Sequence, residues 1–226
     1  MKAQKSAVFL IGSPRGLKST SASLAGYLAA RLARHGMESE ALLVNRCMES
    51  DKGMDALLKA VDRSDLIVLT APVYADSIPG PAVKALESIA RRRAAVRAIM
   101  PKRFCALVAS GLPDASECDT ALAVCRIFAR QCNLVWAGGL ATGAGELLSG
   151  KPLTVNRILA RNAIRALNLA AKSLAAGDAV PYRAALLMAR PVLPPALYVW
   201  LAHVGFFRAA RRHDATFHVN DRPYLL

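Results

Sequence analysis

The sequence predicts an α/β protein with an open parallel sheet and helices on both of its faces. Two observations support this fold class. Five short apolar runs alternate with amphipathic segments of helical period. The run 66–69, Leu-Ile-Val-Leu, is apolar at every position, which is typical of a strand buried on both faces of a parallel sheet. The 226 residues are enough to bury a substantial core.

The predicted elements alternate regularly along the chain. We expect strands at 6–11, 40–44, 66–69, 104–109 and 134–137, and helices at 20–35, 54–61, 81–90, 117–131 and 154–176. In the first helix leucines recur every four residues, and Gly36 supplies a stop. Pro81 suits the first turn of its helix. Gly177 should end the last helix, and Gly138-Gly139 should close the fifth strand.

The charge is strongly positive, with a formal net charge of +14. The basic residues do not form one run, since the clusters 91–93, 102–103 and 208–212 lie far apart. We interpret this charge as favouring solubility and anionic ligands. No helix-turn-helix, zinc-finger or aromatic RNA-binding pattern accompanies it, so nucleic acid is not an expected partner.

The five cysteines predict neither a disulfide framework nor a metal centre. Their number is odd and no C-x-x-C occurs. Cys118, Cys125 and Cys132 recur every seven residues, which places them on one stripe of a helix as small buried hydrophobes. The apolar part of the N-terminal segment is too short for a signal peptide, so we expect a cytoplasmic protein.

The stretch 7–25 predicts an anion site. An apolar run ends at Gly12, a loop rich in hydroxyls and positive charge follows, and a helix then begins. Free N–H groups and the helix dipole favour negative charge at such a helix start. The loop nearly matches a nucleotide-triphosphate loop, but Leu17 stands where that motif requires its second glycine. A bound phosphomonoester is the better interpretation.

Three loops together resemble the NADPH-dependent FMN reductase family. Gly12-Ser13-Pro14-Arg15 with the run 19–21 is similar to its flavin-phosphate loop. The segment 72–81 resembles its P-x-Y loop beside the isoalloxazine, and the segment 110–113 lies where the family supplies other ring contacts. The resemblance covers about residues 5–140. It implies a flavodoxin-like fold with strand order 2-1-3-4-5.

The resemblance also implies which residues bind FMN. The phosphate contacts would come from Ser13, Arg15, Ser19, Thr20 and Ser21. The ring contacts would come from Pro72, Val73 and Tyr74, with backbone groups of Ser77, Ser110 and Gly111 at the polar rim. From the residues alone, Ser19 or Thr20 could equally be a helix N-cap, and Tyr74 a packed loop anchor. Asp76 and Asp114 are expected as rim charges.

The implied activity belongs to the flavin. NADPH or NADH would deliver hydride to bound FMN, and a small acceptor such as a quinone or another flavin would take the electrons. No protein nucleophile or acid–base pair is required, so we predict no catalytic side chain. The compact cysteine cluster of iron–sulfur relatives is missing from the sequence, so we predict no such centre. The alternative is a flavodoxin-like electron carrier or binding module without NAD(P)H turnover.

The segment after residue 150 exceeds what the basic fold needs. We expect an FMN-binding domain over 1–150 and a helical C-terminal extension over 151–226. Residues 191–207 carry no formal charge, whereas Arg208, Arg211 and Arg212 follow directly. Three prolines and His203 argue against a membrane span. A helical appendage packed on the body or on a second subunit is one interpretation, and membrane-surface contact through 183–212 is the other. By resemblance, the protein is expected to be a homodimer.

Overall fold

A computed structural model describes residues 5–95, 101–148 and 150–221. Five parallel strands form one sheet: β1 (Ser6–Ile11), β2 (Glu38–Leu43), β3 (Leu66–Pro72), β4 (Arg103–Ala109) and β5 (Val135–Thr142). Their order across the sheet is β2-β1-β3-β4-β5. The predicted parallel sheet and the strand order implied by the resemblance are therefore confirmed.

Helices follow the strands as the alternation predicts. They are α1 (Thr20–Arg34), α2 (Val44–Cys47), α3 (Asp51–Arg63), α4 (Gly80–Ala95), α5 (Asp119–Gln131), α6 (Arg161–Ala176), α7 (Tyr182–Ala189) and α8 (Pro195–Arg212). Gly177 ends α6 in the left-handed conformation, with φ of 103°, a backbone region in which glycine avoids the Cβ clash of other residues. The single-turn α2 has no counterpart among the predicted elements.

The sheet separates two apolar layers. Phe9 and Ile11 of β1 join one buried cluster, and Val8 and Leu10 join the other, because successive side chains of a strand point to opposite faces. Helices α1, α6 and α7 cover the first face, whereas α3, α4 and α5 cover the second. The expectation of strands buried on both faces is confirmed.

The prediction that Gly138-Gly139 closes the fifth strand is wrong. Both glycines lie inside β5. A Cβ on Gly138 would stand 2.8 Å from the Val180 side chain, and one on Gly139 would stand 2.7 Å from Leu122. The chain after α6 also runs close to this strand, since the Val180 N–H donates to the Ala137 carbonyl at 2.7 Å. Close packing, not chain termination, therefore explains these glycines.

The prediction that a helix begins at residue 154 is also wrong. Hydrogen-bonded turns occupy 153–160, and the helix begins at Arg161. Leu153 and Ala160 are nevertheless buried in the same cluster as Leu167 and Leu174. The apolar pattern therefore continues upstream of α6 although the backbone is not helical there.

The chain divides into two compact units between Val192 and Leu193. The domain boundary expected at 150–151 lies inside the first unit, because α6 and α7 share a buried cluster with α1 and the sheet. The second unit contains α8 and a short turn of 3₁₀ helix at Thr216–His218, and α8 has no buried residue. Among the residues that the structure describes, no helix combines the length and the apolar character needed to cross a membrane.

The cysteines with seven-residue spacing are buried, as predicted. Cys118 precedes α5, Cys125 lies within the helix, and Cys132 follows it. Burial raises the pKa of the Cys118 thiol to about 11 and that of Cys125 to about 12. Buried thiols with such a raised pKa are poor nucleophiles and behave as small apolar side chains.

Candidate cofactor site

The loops after β1, β3 and β4 enclose one cavity of about 410 Å³ at the carboxyl edge of the sheet. Parallel strands bring such loops together because their carboxyl ends share an edge. The sequence-predicted residues that line this cavity are Ser13, Arg15, Ser19, Thr20, Ser21, Pro72, Val73, Tyr74, Ser110 and Gly111. The expected clustering of three loops is therefore observed.

Ser19 is the N-cap of α1. Its hydroxyl accepts a hydrogen bond from the Ala22 N–H at 3.1 Å and donates to the Gly16 carbonyl at 2.6 Å. Gly16 has φ of 57°, and its N–H donates to the Ser13 carbonyl at 3.0 Å, so the loop turns back tightly before the helix. The Ser19 side chain therefore shapes the loop, which is the capping role that the residue type also allows.

The first turn of α1 borders the cavity through Thr20 and Ser21. The hydroxyl of Thr20 donates to the Gly145 carbonyl at 2.9 Å. Ser13 and Ser21 are almost completely buried. Within the described residues, the Thr20 and Ser21 N–H groups have no acceptor, as is usual for the first turn of a helix. Buried hydroxyls, unpaired N–H groups and a guanidinium suit a phosphate monoester.

Arg15 forms an ion pair at this cavity. Its Nη1 lies 3.2 Å from Oε1 of Glu146, and both side chains are more than half exposed. The Arg15 backbone N–H also donates to the Ser13 hydroxyl at 3.3 Å. The guanidinium is thus held beside the first turn of α1 by a partner from a different loop.

The loop after β3 carries a tight turn. Tyr74 and Ser77 exchange two backbone hydrogen bonds, of 2.9 Å and 3.1 Å. Ala75 and Asp76 between them both have positive φ, 46° and 61°. Two consecutive left-handed residues define a type I′ turn, which is costly for alanine. The turn leaves Tyr74 half exposed at the cavity.

Ser77 is the one predicted site residue that does not line the cavity. Its N–H and carbonyl were expected at the rim of a bound ring, but both are paired with Tyr74. Its contribution is therefore to close the turn that presents Tyr74.

A fourth loop follows β5, in the glycine-rich stretch that we expected to be flexible or to approach a ligand, and it adds residues that were not predicted for the site. Gly145 and Glu146 of this loop line the cavity. A Cβ on Gly143 would stand 2.2 Å from the Pro113 carbonyl oxygen, so only glycine lets this loop lie against the loop after β4. The glycine-rich stretch 138–145 was the available signal for it.

Three acidic residues line the cavity, and one of them is the Glu146 that pairs with Arg15. Asp76 and Glu117 contribute to the cavity, as does Glu146. Asp114, expected as a rim charge, does not line it; its carboxylate instead accepts a hydrogen bond from the Ser116 N–H at 2.9 Å. That hydrogen bond lowers the pKa of the fully exposed Asp114.

The triphosphate interpretation gains no support from the geometry. Leu17 is 68% exposed in a 3₁₀ turn, and Lys18 is not among the residues that line the cavity. In a triphosphate loop the equivalent lysine reaches the phosphates. The fold and the site instead define a flavodoxin-like protein whose cavity has one end lined by serine and threonine side chains and Arg15.

The chain belongs to the NADPH-dependent FMN reductase family, whose model matches residues 6–129. It is an FMN-dependent oxidoreductase that uses NAD(P)H. No curated protein sequence matches the chain.

Solved structures with the same fold include two oxidoreductases. An FMN-dependent NADH-azoreductase from Bacillus anthracis, in complex with FMN, matches with a TM-score of 0.53 at 13% identity, covering 76% of this chain and 99% of that one. An NAD(P)H:quinone oxidoreductase from Methanothermobacter marburgensis matches with a TM-score of 0.53 at 14% identity, covering 74% and 96%. A Trp repressor binding protein from Bacillus subtilis has a TM-score of 0.51 at 9% identity, covering 72% and 95%.

Proposed function

We propose that the cavity holds FMN with its phosphate at the start of α1. The observation that carries this proposal is the meeting of unpaired first-turn N–H groups, two buried hydroxyls and Arg15 at one end of a single cavity. Thr20 and Ser21 would supply backbone donors, and Ser13 and Ser21 would supply hydroxyls. Ser19 would act indirectly, because its own hydroxyl already caps the helix.

The ring would lie among the remaining loops. Pro72, Val73 and Tyr74 would support one side, and the backbone of Ser110 and Gly111 would border the polar rim. The Ser110 hydroxyl accepts from the Leu112 N–H at 3.0 Å, which orders this loop before any ligand arrives. A rigid frame of this kind orients a cofactor at little entropic cost on binding.

FMN supplies the redox chemistry when it is bound, taking hydride from NAD(P)H and passing electrons to a second substrate. The protein's own residues bind and orient it, and they shield one side from water. The half-exposed Tyr74 borders the open part of the cavity. We propose that a small planar acceptor, such as a quinone or a free flavin, is reduced there.

The test is turnover by the FMN-loaded protein. NADPH or NADH oxidation should require FMN and should accelerate when a soluble quinone is added. A protein that binds FMN but never oxidises NAD(P)H would be the electron carrier of the alternative hypothesis. A protein whose visible spectrum and flavin titration show no FMN binding would contradict the site assignment.

We also propose that α8 contacts an anionic membrane surface. The helix exposes large apolar side chains on several faces, among them Trp200, Phe206 and Phe207, and its last turns carry Arg208, Arg211 and Arg212. An apolar helix that ends in arginines fits an interface where hydrocarbon meets anionic headgroups. A quinone acceptor would be accessible from such a surface.

Flotation of the full-length protein with anionic and neutral vesicles tests the membrane contact. The double variant Trp200→Gln/Phe206→Gln should lose binding, whereas Ile127→Gln on α5, another exposed apolar residue, should keep it. Equal binding by both variants would contradict the proposal. The homodimer stays a prediction, which sedimentation in the absence of lipid can test.

A further inference from the structure

Five arginines line a second, separate groove between α1 and α6. The groove encloses about 500 Å³ and is bordered by Tyr27, Thr154 and Ile164 as well as by Arg31, Arg34, Arg157, Arg161 and Arg165. We call these five side chains and the space between them the arginine groove. Its lining shares no residue with the cofactor cavity. The two sites can therefore be altered independently.

No acidic residue balances this charge. Helix α1 contains no aspartate or glutamate, and neither does the stretch 147–177. Within the described part of the chain, none of the five guanidinium groups has a carboxylate within ion-pair distance, whereas Arg15, Arg63 and Arg92 each have one. The groove is thus cationic without local neutralisation.

Packing below the groove forces the arginines together. Leu24, Leu28 and Leu32 of α1 share one buried cluster with Ala163 and Leu167 of α6. This apolar contact places the arginine rows of the two helices side by side, although like charges repel. The burial of these leucines against α6 holds the two helices together despite that repulsion.

The start of α6 adds to the unfavourable electrostatics. Ala160 at its N-cap offers no side-chain acceptor, and no acidic residue lies in the first turn. Arg157 and Arg161 lie instead at this positive end of the helix dipole, where cations are destabilising. A bound anion would relieve both the repulsion among the arginines and the uncapped helix start.

One guanidinium is already oriented. The Arg31 Nε and Nη2 atoms donate to the Tyr27 hydroxyl at 3.1 Å and 2.9 Å. That hydroxyl in turn donates to Oδ1 of Asn168 on α6 at 3.1 Å. This chain of hydrogen bonds links α1 to α6 across the groove and fixes Arg31 without neutralising it. An oriented arginine loses less entropy when it binds an anion.

We propose that the arginine groove binds a ligand that carries two or more phosphate groups. Guanidinium groups match phosphate oxygens with paired hydrogen bonds. Arg157, Arg161 and Arg165 are spaced by four residues. Arg161 and Arg165 lie one turn apart on α6, about 6 Å along its axis, whereas Arg157 lies in the turns that precede the helix. A single phosphate cannot contact five guanidinium groups that surround a groove of about 500 Å³, but a short phosphate chain can.

Titration of the FMN-loaded protein with inorganic tripolyphosphate tests this proposal, because FMN keeps the probe out of the cofactor cavity. The double variant Arg161→Gln/Arg165→Gln should bind the probe at least about tenfold more weakly, which corresponds to the loss of one or two charge-assisted hydrogen bonds. The matched control is Arg126→Gln/Arg130→Gln, a pair of exposed arginines with the same spacing on α5. The control should bind within about twofold of the wild type.

Three outcomes would overturn the proposal. The wild type could show no saturable binding, or both double variants could lose affinity equally, which would indicate attraction by net charge alone. A single-stranded oligonucleotide could also bind where tripolyphosphate does not, which would assign the groove to a nucleic-acid backbone. Unchanged FMN absorbance in both variants confirms that the fold and the cofactor cavity are intact.

Discussion

The Arg15 guanidinium and the Glu146 carboxylate pair at 3.2 Å, joining the loop after β1 to the loop after β5. Both line the cavity that we assign to FMN. A bound phosphate would compete with Glu146 for Arg15, because both are oxyanions that the guanidinium can bind. The pair therefore predicts opposite effects of altering its two members.

Glu146→Gln should tighten FMN binding. The change removes a negative charge close to the proposed phosphate position and releases Arg15. Because both side chains are largely exposed, the gain should be about two- to fivefold. Flavin fluorescence quenching measures it, with riboflavin as control, since a ligand without a phosphate should bind unchanged. Equal tightening of riboflavin would show that Glu146 acts on the ring instead.

Arg15→Gln should weaken FMN binding by about tenfold, the effect expected for a partly exposed charge-assisted hydrogen bond. Riboflavin affinity should change by less than about twofold. The matched control, Arg126→Gln, removes an exposed arginine outside the cavity and should leave both affinities unaltered. Parallel losses for FMN and riboflavin would place Arg15 away from the phosphate.

Ser19→Ala should destabilise the protein by about 1 kcal/mol, since it removes the α1 cap. It also removes the hydrogen bond to the Gly16 carbonyl. Urea unfolding of the apoprotein measures the change. Ser23→Ala in the same helix is the control, because its hydroxyl donates only to the Ser19 carbonyl within the helix and alanine is the better helix former. A loss no larger than that of the control would contradict the capping role.

Two glycine substitutions should have opposite effects. Gly150→Ala places a Cβ 2.3 Å from the Lys18 carbonyl oxygen at a residue with φ of 62°, so it should destabilise the protein and weaken FMN binding. Gly26→Ala, in α1, meets no atom within 4 Å and should stabilise the protein by about 0.5–1 kcal/mol. The midpoint temperature of thermal unfolding, measured for each variant with and without FMN, gives both the change in stability and the change in FMN binding. Stabilisation by both would show that the contact with Lys18 imposes no constraint.

The buried thiols predict a loss of stability at high pH. Burial raises the pKa of Cys125 from 9.0 to about 12, so the unfolded chain releases this proton at lower pH than the native protein does. The contribution of the buried, protonated Cys125 thiol to the free energy of unfolding is complete below pH 9 and is lost as the pH rises toward 12. Cys125→Ala should therefore make the decline in unfolding free energy above pH 9 shallower, by at most about 1.4 kcal/mol per pH unit.

The free energy of unfolding at pH 8, 9.5 and 10.5 measures that decline for Cys125→Ala. Cys47→Ala is the comparison, because Cys47 is only partly buried; burial also raises the pKa of its thiol, so this variant should flatten the decline less than Cys125→Ala does. Identical slopes for the wild type and Cys125→Ala would contradict a protonated Cys125 in the native protein.

Local patterns in the sequence were enough to predict the alternation of strands and helices, the parallel sheet and most of the cavity lining. Apolar runs and amphipathic periods are local signals, so they need no knowledge of distant contacts. The sequence also predicted that the three motif loops lie close together, because the carboxyl ends of parallel strands share one edge of the sheet. The loop 12–21, which we propose binds the phosphate, was predicted from equally local signals.

Features that depend on contacts between distant segments could be known only from the folded structure. Gly138 and Gly139 were predicted to end the fifth strand. They lie within β5 instead, and Val180 and Leu122 fill the space beside them. Glu146 pairs with Arg15, and the arginines of α6 lie beside Arg31. Local sequence patterns do not predict either contact. Arg15 and Glu146, like Arg31 and the arginines of α6, are more than a hundred residues apart in the chain. Burial of the apolar layer that α1 shares with α6 brings the two rows of arginines together.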